Sequence, residues 1–191
     1  MELFDQQGNR KYLVATERKQ FEYCAREAAN EIRTFCLLLY YTGARISEAL
    51  NLLHTSIDYS DKCVIFECLK KRKKGVYRQV PVPDTLLDDL QMVHNIKKLQ
   101  TLKATKRTKI WSWARNTAYL KVMSVMEEAN ISGIHACPKG LRHSFAIHCL
   151  EKGIPINLVS KWMGHSSLEV TAIYANALGE EERMIASRLW E

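Results

Sequence analysis

Between Ser56 and Val82 the texture of the chain changes, and that change limits the fold more than any other feature. Cys63-Val64-Ile65-Phe66 and Val76-Tyr77-Arg78-Gln79-Val80 are rich in β-branched and aromatic residues and read as two strands. They flank a basic tip, Lys70-Lys71-Arg72-Lys73-Lys74-Gly75. A further short strand near Ile57 completes a small antiparallel sheet. Pro81 and Pro83 close it, because proline has no N–H with which to continue a ladder. Helical patterning dominates on both sides, so the expected fold class is mainly α with a small antiparallel β-sheet (α+β).

Upstream of the sheet, residues 1–15 read as a polar lead-in whose loosest part is Gln6-Gln7-Gly8-Asn9. Thr16 is expected to cap a helix with Glu17 in its first turn. Helical signals then run to Tyr41 with a break near Asn30, and Phe35, Leu38 and Leu39 supply apolar faces. Thr42-Gly43 marks a turn, and Ala44 to Leu53 resumes a helical pattern. Downstream, Asp84 is expected to cap a helix reaching about Leu99. A loop from Gln100 to Ser112 leads into a helix near Arg115 to Asn130. Further helices are expected at about Lys139–Lys152, Pro155–Met163, Ser167–Ala175 and Glu180–Trp190. Gly153 and Gly164 serve as their C-caps, and Pro155 takes a first-turn position.

The chain has 191 residues, enough for one domain with a real core. Its 28 lysines and arginines against 21 acids leave a net charge of +7. Such a surplus favours an anionic partner, most commonly nucleic acid, although charge alone fits a solvated lysine-rich surface equally well. The six cysteines stand singly, without a CxxC pair, and Cys63 and Cys68 have the wrong spacing for a zinc knuckle. Buried reduced thiols in a cytoplasmic protein are the expectation. Met1 to Asp5 lacks the start of a signal peptide, and no apolar run approaches the ~18 residues of a membrane span. Neither a metal nor a cofactor is expected.

Three segments belong together: Thr42-Gly43-Ala44-Arg45-Ile46-Ser47-Glu48-Ala49-Leu50, Pro138-Lys139-Gly140-Leu141-Arg142-His143-Ser144-Phe145-Ala146, and Met163-Gly164-His165-Ser166-Ser167 leading to Ile173-Tyr174. An isolated arginine in a helix is ordinarily a surface residue. Here the flanks carry the signal, as TGxRxSEAL, LRHSFA, and GHSS with a tyrosine nine residues beyond the histidine. Together these motifs resemble the tyrosine recombinase (lambda-type phage integrase) family, from about residue 12 to the end of the chain.

The resemblance implies the recombinase catalytic-domain fold over residues 16–191. It also implies a nucleophile, Tyr174, two catalytic arginines, Arg45 and Arg142, and a catalytic histidine, His165. It implies a catalytic lysine at the hairpin tip, for which Lys73 fits best and Lys71 and Lys74 compete. Lys139 stands where the family most often has histidine. Glu48, one turn from Arg45, and His143 are expected to support these groups from behind. Lys70, Lys71, Arg72 and Lys74 at the tip, with Lys103, Lys106, Arg107, Lys109 and Arg115 in the acid-free stretch 91–126, are expected to contact the DNA backbone. Most members carry a core-binding domain before the catalytic one. None is expected here, which resembles the short single-domain invertases or an excised catalytic domain. The implied partners are double-stranded DNA and further copies of the chain, up to a tetramer, with the helix 180–190 docking on a neighbour through Met184, Ile185 and Leu189.

The chemistry explains the residue types. Attack by a phenol on a phosphodiester builds negative charge on the non-bridging oxygens, and two fork-shaped guanidinium groups stabilise it. A lysine general acid assists departure of the 5′-oxygen, and a histidine helps remove the phenolic proton. A lysine in water ionises at about 10.4, which makes it a poor base unless desolvated, so Lys139 is expected to act as a cationic contact. The competing tyrosines Tyr40, Tyr41 and Tyr77 are explained by core packing, and Trp111 and Trp113 by wedging between helices. His54, His94 and His135 receive no role. The rival functions are a type IB topoisomerase, a catalytically silent DNA-binding module and a metal-dependent nuclease, the last of which needs clustered carboxylates that the basic motifs lack.

Overall fold

A computed structural model describes residues 3–68, 75–102 and 108–174. The elements in chain order are α1 (Ala15–Glu27), α2 (Asn30–Thr42), α3 (Ile46–Ala49), a 3-10 turn (His54–Ser56), β1 (Ile57–Asp58), β2 (Cys63–Glu67) and β3 (Tyr77–Pro81). They continue with α4 (Asp84–His94), α5 (Ile96–Thr101), α6 (Arg115–Glu128), α7 (Pro138–Glu151), α8 (Ile156–Met163) and α9 (Glu169–Ala172). This is the expected α+β class, with one antiparallel sheet in the order β1-β2-β3. Lys70, Lys71, Arg72, Lys73, Lys74, Lys103, Lys106, Arg107 and the helix expected at 180–190 lie outside the described residues.

α2 organises the core. Phe35, Cys36, Leu37 and Leu38 are all fully buried, because α1, α4, α6 and α7 pack around the helix. It is therefore apolar on nearly every side rather than along one stripe. Each such side chain contributes about 1.5–3 kcal/mol on transfer from water. Trp111 closes the far end, edge-on to Phe35 at 5.2 Å and to His94 at 5.3 Å, with its indole N–H donated to the Glu31 carbonyl. A second apolar cluster lies on α7 and α8, where Phe145, Ile147, Val159 and Met163 are joined by Tyr174, just beyond α9, and by Leu3 from the lead-in. Leu3 and Leu13 pin that polar segment at both ends, and the Asp5 carboxylate closes its turn by accepting the N–H groups of Gln7 and Asn9.

Local boundaries depart from expectation where a side chain or tertiary contact outbids the pattern. α1 begins at Ala15, not after Thr16, and Glu17 reaches back to accept the Val14 N–H at 3.0 Å. The helix expected from Ala44 to Leu53 shrinks to α3, because Leu52 and Leu53 instead pair with Lys109 and Ile110. The helix expected from Asp84 to Leu99 breaks at Asn95, whose left-handed φ of 56° divides α4 from α5. Pro83 occupies the cap of α4, while Asp84 forms an ion pair with Lys62. Tyr77 is not a packing residue. It is 63% exposed, because Val80 sets the inward face of β3 and period-two alternation turns Tyr77 outward. The inward position between them belongs to Arg78. The six cysteines are free, five of them buried. Among the described residues no helix is long and apolar enough to cross a membrane.

Candidate active site

Gly43 ends α2 in the left-handed region, at φ 59°, and a Cβ there would collide with the Phe145 ring. Glycine is thus required twice over, by conformation and by the approach of α7. The turn delivers Arg45 to the start of α3, and Glu48 one turn later points back beneath it. The Glu48 Oε1 accepts from Arg45 Nη1 at 2.8 Å, and Oε2 accepts the Arg45 backbone N–H at 2.9 Å. Arg142 comes from the first half of α7. Its Nη1 donates to the Gly43 carbonyl at 2.5 Å and its Nη2 to the Met163 carbonyl at 2.6 Å, so one guanidinium ties the end of α2 to the end of α8. α8 stops at Gly164, again left-handed, and the chain turns to present His165.

Arg45, Lys139, Arg142 and His165 line one cleft of about 670 Å³, together with Arg115 and Tyr119 of α6. The sequence motifs thus converge from α3, α7 and the end of α8. Lys109 is not on this wall and donates to the Asn51 side chain at 2.9 Å. Glu48 lies under the wall at 2% exposure, where it also faces Arg78 at 2.8 Å and Arg142 at 3.9 Å. Burial pushes the Glu48 carboxyl up, but Arg78 and Arg142 more than offset this and hold it below the usual range. Burial, reinforced by Arg45, pushes Arg142 down to about 9, still cationic at neutral pH.

Tyr174 is fully covered and does not line the cleft. Its ring lies nearly parallel to that of His165, with centroids 6.1 Å apart, and its hydroxyl shares a 3.0 Å hydrogen bond with His143 Nδ1. His143 therefore stands behind the candidate nucleophile and contacts its hydroxyl directly. His165 Nδ1 shares a 2.8 Å hydrogen bond with the Thr171 hydroxyl, which fixes the ring. Its Nε2 has no hydrogen-bond partner among the described residues. Burial and then the charges of Arg142 and Arg45 lower His165 to about 4, so it is neutral and able to accept a proton. His143 is lowered to about 4 by burial and then by Lys139 and Arg142. Burial raises the Tyr174 phenol to about 12, although Arg142 and Arg45 pull the other way. The arrangement offers a cationic wall for a phosphodiester, a neutral histidine at its edge and a protonated phenol behind that histidine. Among the described residues no group of three or more His, Cys, Asp or Glu is placed to hold a metal ion.

Arg78 is the buried residue that the sequence reading passed over. The signal was present in the strand pattern, since Val80 inward puts Arg78 inward, and a charge there requires a buried partner.

The model of the Phage integrase family matches residues 12–181. The chain is 32% identical over 160 residues to Tyrosine recombinase XerA of Pyrococcus furiosus, covering 82% of this chain and 54% of that one. It is 34% identical over 144 residues to Tyrosine recombinase XerD of Mycobacterium tuberculosis, covering 72% and 45%. The chain thus spans about half the length of these curated relatives. Among solved structures, XerH bound to its difH substrate superposes with a TM-score of 0.76 at 20% identity, covering all of this chain and 57% of that one. The catalytic domain of bacteriophage HP1 integrase superposes with a TM-score of 0.64 at 22% identity, covering 92% and 93%.

Proposed function

Because the chain belongs to the Phage integrase family, whose fold it shares, we propose that it is a site-specific DNA recombinase that cuts and rejoins strands through a 3′-phosphotyrosyl intermediate. The observation that carries this reading is the convergence of Arg45, Arg142 and His165 on one cleft, with Tyr174 stacked on His165.

In this reading Arg45 and Arg142 bind the non-bridging oxygens of the scissile phosphate and stabilise the charge that accumulates there. The Tyr174 oxygen attacks phosphorus, and the bond to the 5′-oxygen breaks. His165 takes the phenolic proton. Lys73, at the hairpin tip, gives a proton to the departing 5′-oxygen. Lys139 supplies a further positive charge. The phosphotyrosyl ester conserves the energy of the broken bond, so attack by the 5′-hydroxyl of another strand restores a phosphodiester without ATP. Arg115, Lys109 and the tip lysines hold the DNA backbone, and four copies act together on two sites, exchanging strands through a Holliday junction.

Tyr174 must leave its covered position, or its cover must open, before it reaches a phosphate. An assay for a covalent adduct tests the reading: a pool of nicked duplexes tiled across the DNA flanking the gene, with and without chelator. A Tyr174-dependent adduct indifferent to chelator is expected. No adduct on any duplex would remove the enzyme reading in favour of a silent DNA-binding module. Relaxation of supercoiled plasmid lacking the site would point instead to a type IB topoisomerase.

A further inference from the structure

Arg78 carries a positive charge into the inward face of a β-strand, at 4% exposure, and it does not line the cleft. An isolated buried guanidinium would be strongly unfavourable, so its partners define its role. Its Nη2 donates to Glu48 Oε2 at 2.8 Å and its Nη1 to Glu48 Oε1 at 3.3 Å, so the fork spans both carboxylate oxygens. Its Nε donates to the Trp162 carbonyl at 2.6 Å, and Nη1 also faces Cys68 Sγ at 3.6 Å. The side chain crosses the Phe66 ring at 4.9 Å and fills the space beside Gly164, where a Cβ would lie 3.1 Å from Nη1.

These contacts add a second tie, made from β3, between the α3 and α8 sides of the cleft that Arg142 already bridges through the Gly43 and Met163 carbonyls. Glu48 is the acceptor that holds Arg45. Trp162 belongs to the last turn of α8, from which Gly164 and His165 emerge. β3 is the strand that follows the basic residues 70–74 in the chain. We propose that Arg78 is a positioning residue of this site: its buried guanidinium clamps the Glu48 carboxylate and the end of α8 to β3, and so sets the places of Arg45 and His165. The inference rests on the recombinase reading.

The geometry also says what the loss of Arg78 does. With Arg78 in place the Glu48 carboxylate accepts four hydrogen bonds on its two oxygens; without it only the two from Arg45 remain, and the attraction to Arg142, 3.9 Å away, meets less resistance. Arg142 would then be drawn from the carbonyls of Gly43 and Met163. Lysine keeps the charge but lacks the planar fork, so it cannot bind both carboxylate oxygens and the Trp162 carbonyl together. The effect expected is a misplaced wall on an otherwise folded domain.

The test uses the full chain and the nicked duplex that yields an adduct with the wild-type protein. Three quantities are measured for Arg78→Lys, Arg78→Met and Val80→Ala: the single-turnover rate of adduct formation at saturating DNA, the DNA affinity with its salt slope, and the melting temperature. Val80 is the buried neighbour on the same strand that touches neither Glu48 nor Trp162 through its side-chain polar groups, having none. Arg78→Lys is expected to slow adduct formation about 100-fold, a loss typical of catalytic groups displaced by about an ångström, with affinity and salt slope unchanged. Val80→Ala, at an equal loss of melting temperature, is expected to slow it no more than about threefold, since no catalytic group is displaced. Arg78→Met is the more severe variant, and Arg78→Lys decides the matter if it does not fold. Wild-type rate in Arg78→Lys, or an equal slowing in Val80→Ala, overturns the proposal while leaving the recombinase reading intact. Absence of a wild-type adduct overturns that reading, and the role of Arg78 with it.

Discussion

Two neighbouring regions of the site are built on opposite principles. On one side Glu48 lies among Arg45, Arg78 and Arg142, an ionic floor in which three guanidinium charges share one carboxylate. On the other, His143, His165 and Tyr174 form a neutral corner, set into the apolar cluster of Phe145, Val159 and Met163. The floor holds positive charge where a phosphate is expected. The corner keeps two bases unprotonated and one phenol protonated, because burial and then nearby cations, Lys139 and Arg142 for His143 and the arginines for His165, disfavour the charge on each histidine, and burial disfavours phenolate. The lesson is that fixed charge and the groups proposed to exchange a proton have different surroundings, although Tyr174 and Arg142 are close enough to influence one another.

The comparison breaks most sharply at Tyr174. Tyr174→Phe is expected to abolish the covalent adduct completely while the chain stays folded. Its structural cost is the lost hydrogen bond to His143, about 1–3 kcal/mol for a buried group left unpaired. Adduct capture on a denaturing gel checks the first part and a urea melt the second. Attack at the floor comes next. Glu48→Ala leaves Arg78 and Arg142 buried without their counter-charge and is expected to destabilise the chain by about 3–5 kcal/mol. A urea melt reads this directly, and a change under about 1 kcal/mol would mean that the floor is no more than a surface-like ion pair.

Acid should take the two regions apart in sequence. His143 and His165 sit at about 4 in the folded chain against an ordinary 6.5, so the unfolded chain binds more protons between those values. Stability from the corner is complete above pH 6.5 and is lost as the pH falls toward 4. Glu48 is depressed, so its contribution is present above the usual carboxylate range and is lost only below it, as the pH falls through its lowered folded value. Urea midpoints measured from pH 7.5 to 3.5 should therefore fall first between 6.5 and 4.5. His143→Gln is expected to flatten that first decline; His94, also lowered to about 4, accounts for part of what is left. The smallest effect belongs to the rim. Arg115→Ala, at the mouth of the cleft, is expected to reduce the slope of log Kd against log salt by about 0.9, the value for one phosphate contact. Fluorescence anisotropy on duplex DNA between low and moderate salt would show it.

The residues of the corner and three of the four residues of the floor were legible from the sequence. Arg45, Glu48, Arg142, His165 and Tyr174 stand in short motifs, and glycines at 43 and 164 mark the turns that end α2 and α8. The sheet was legible too, because its strands carry their pattern locally. Helix ends were less so, as at Asn95 and after Ala49, where the competing bond is to a residue distant in the chain or comes from a backbone choice that several residues allow. His143 and Arg78 were the two contacts hardest to foresee. The first depends on where the chain after His165 carries Tyr174. The second depends on a strand facing a helix end 84 residues later.

The sequence by itself determined the class of fold, the turns that present Arg45 and His165, and the family to which the chain belongs, since each is written in short-range pattern: periodicity, a glycine at a left-handed turn, a motif of a few residues. Only the tertiary structure decided that Glu48 is shared among three arginines, that Arg78 links it to the end of α8, and that Tyr174 rests covered against His143 and His165. The reason is physical. Backbone conformation is chosen over a few residues, whereas a buried charge or phenol takes its state from whichever groups the packed core brings within about 4 Å, where Coulomb and desolvation terms are largest.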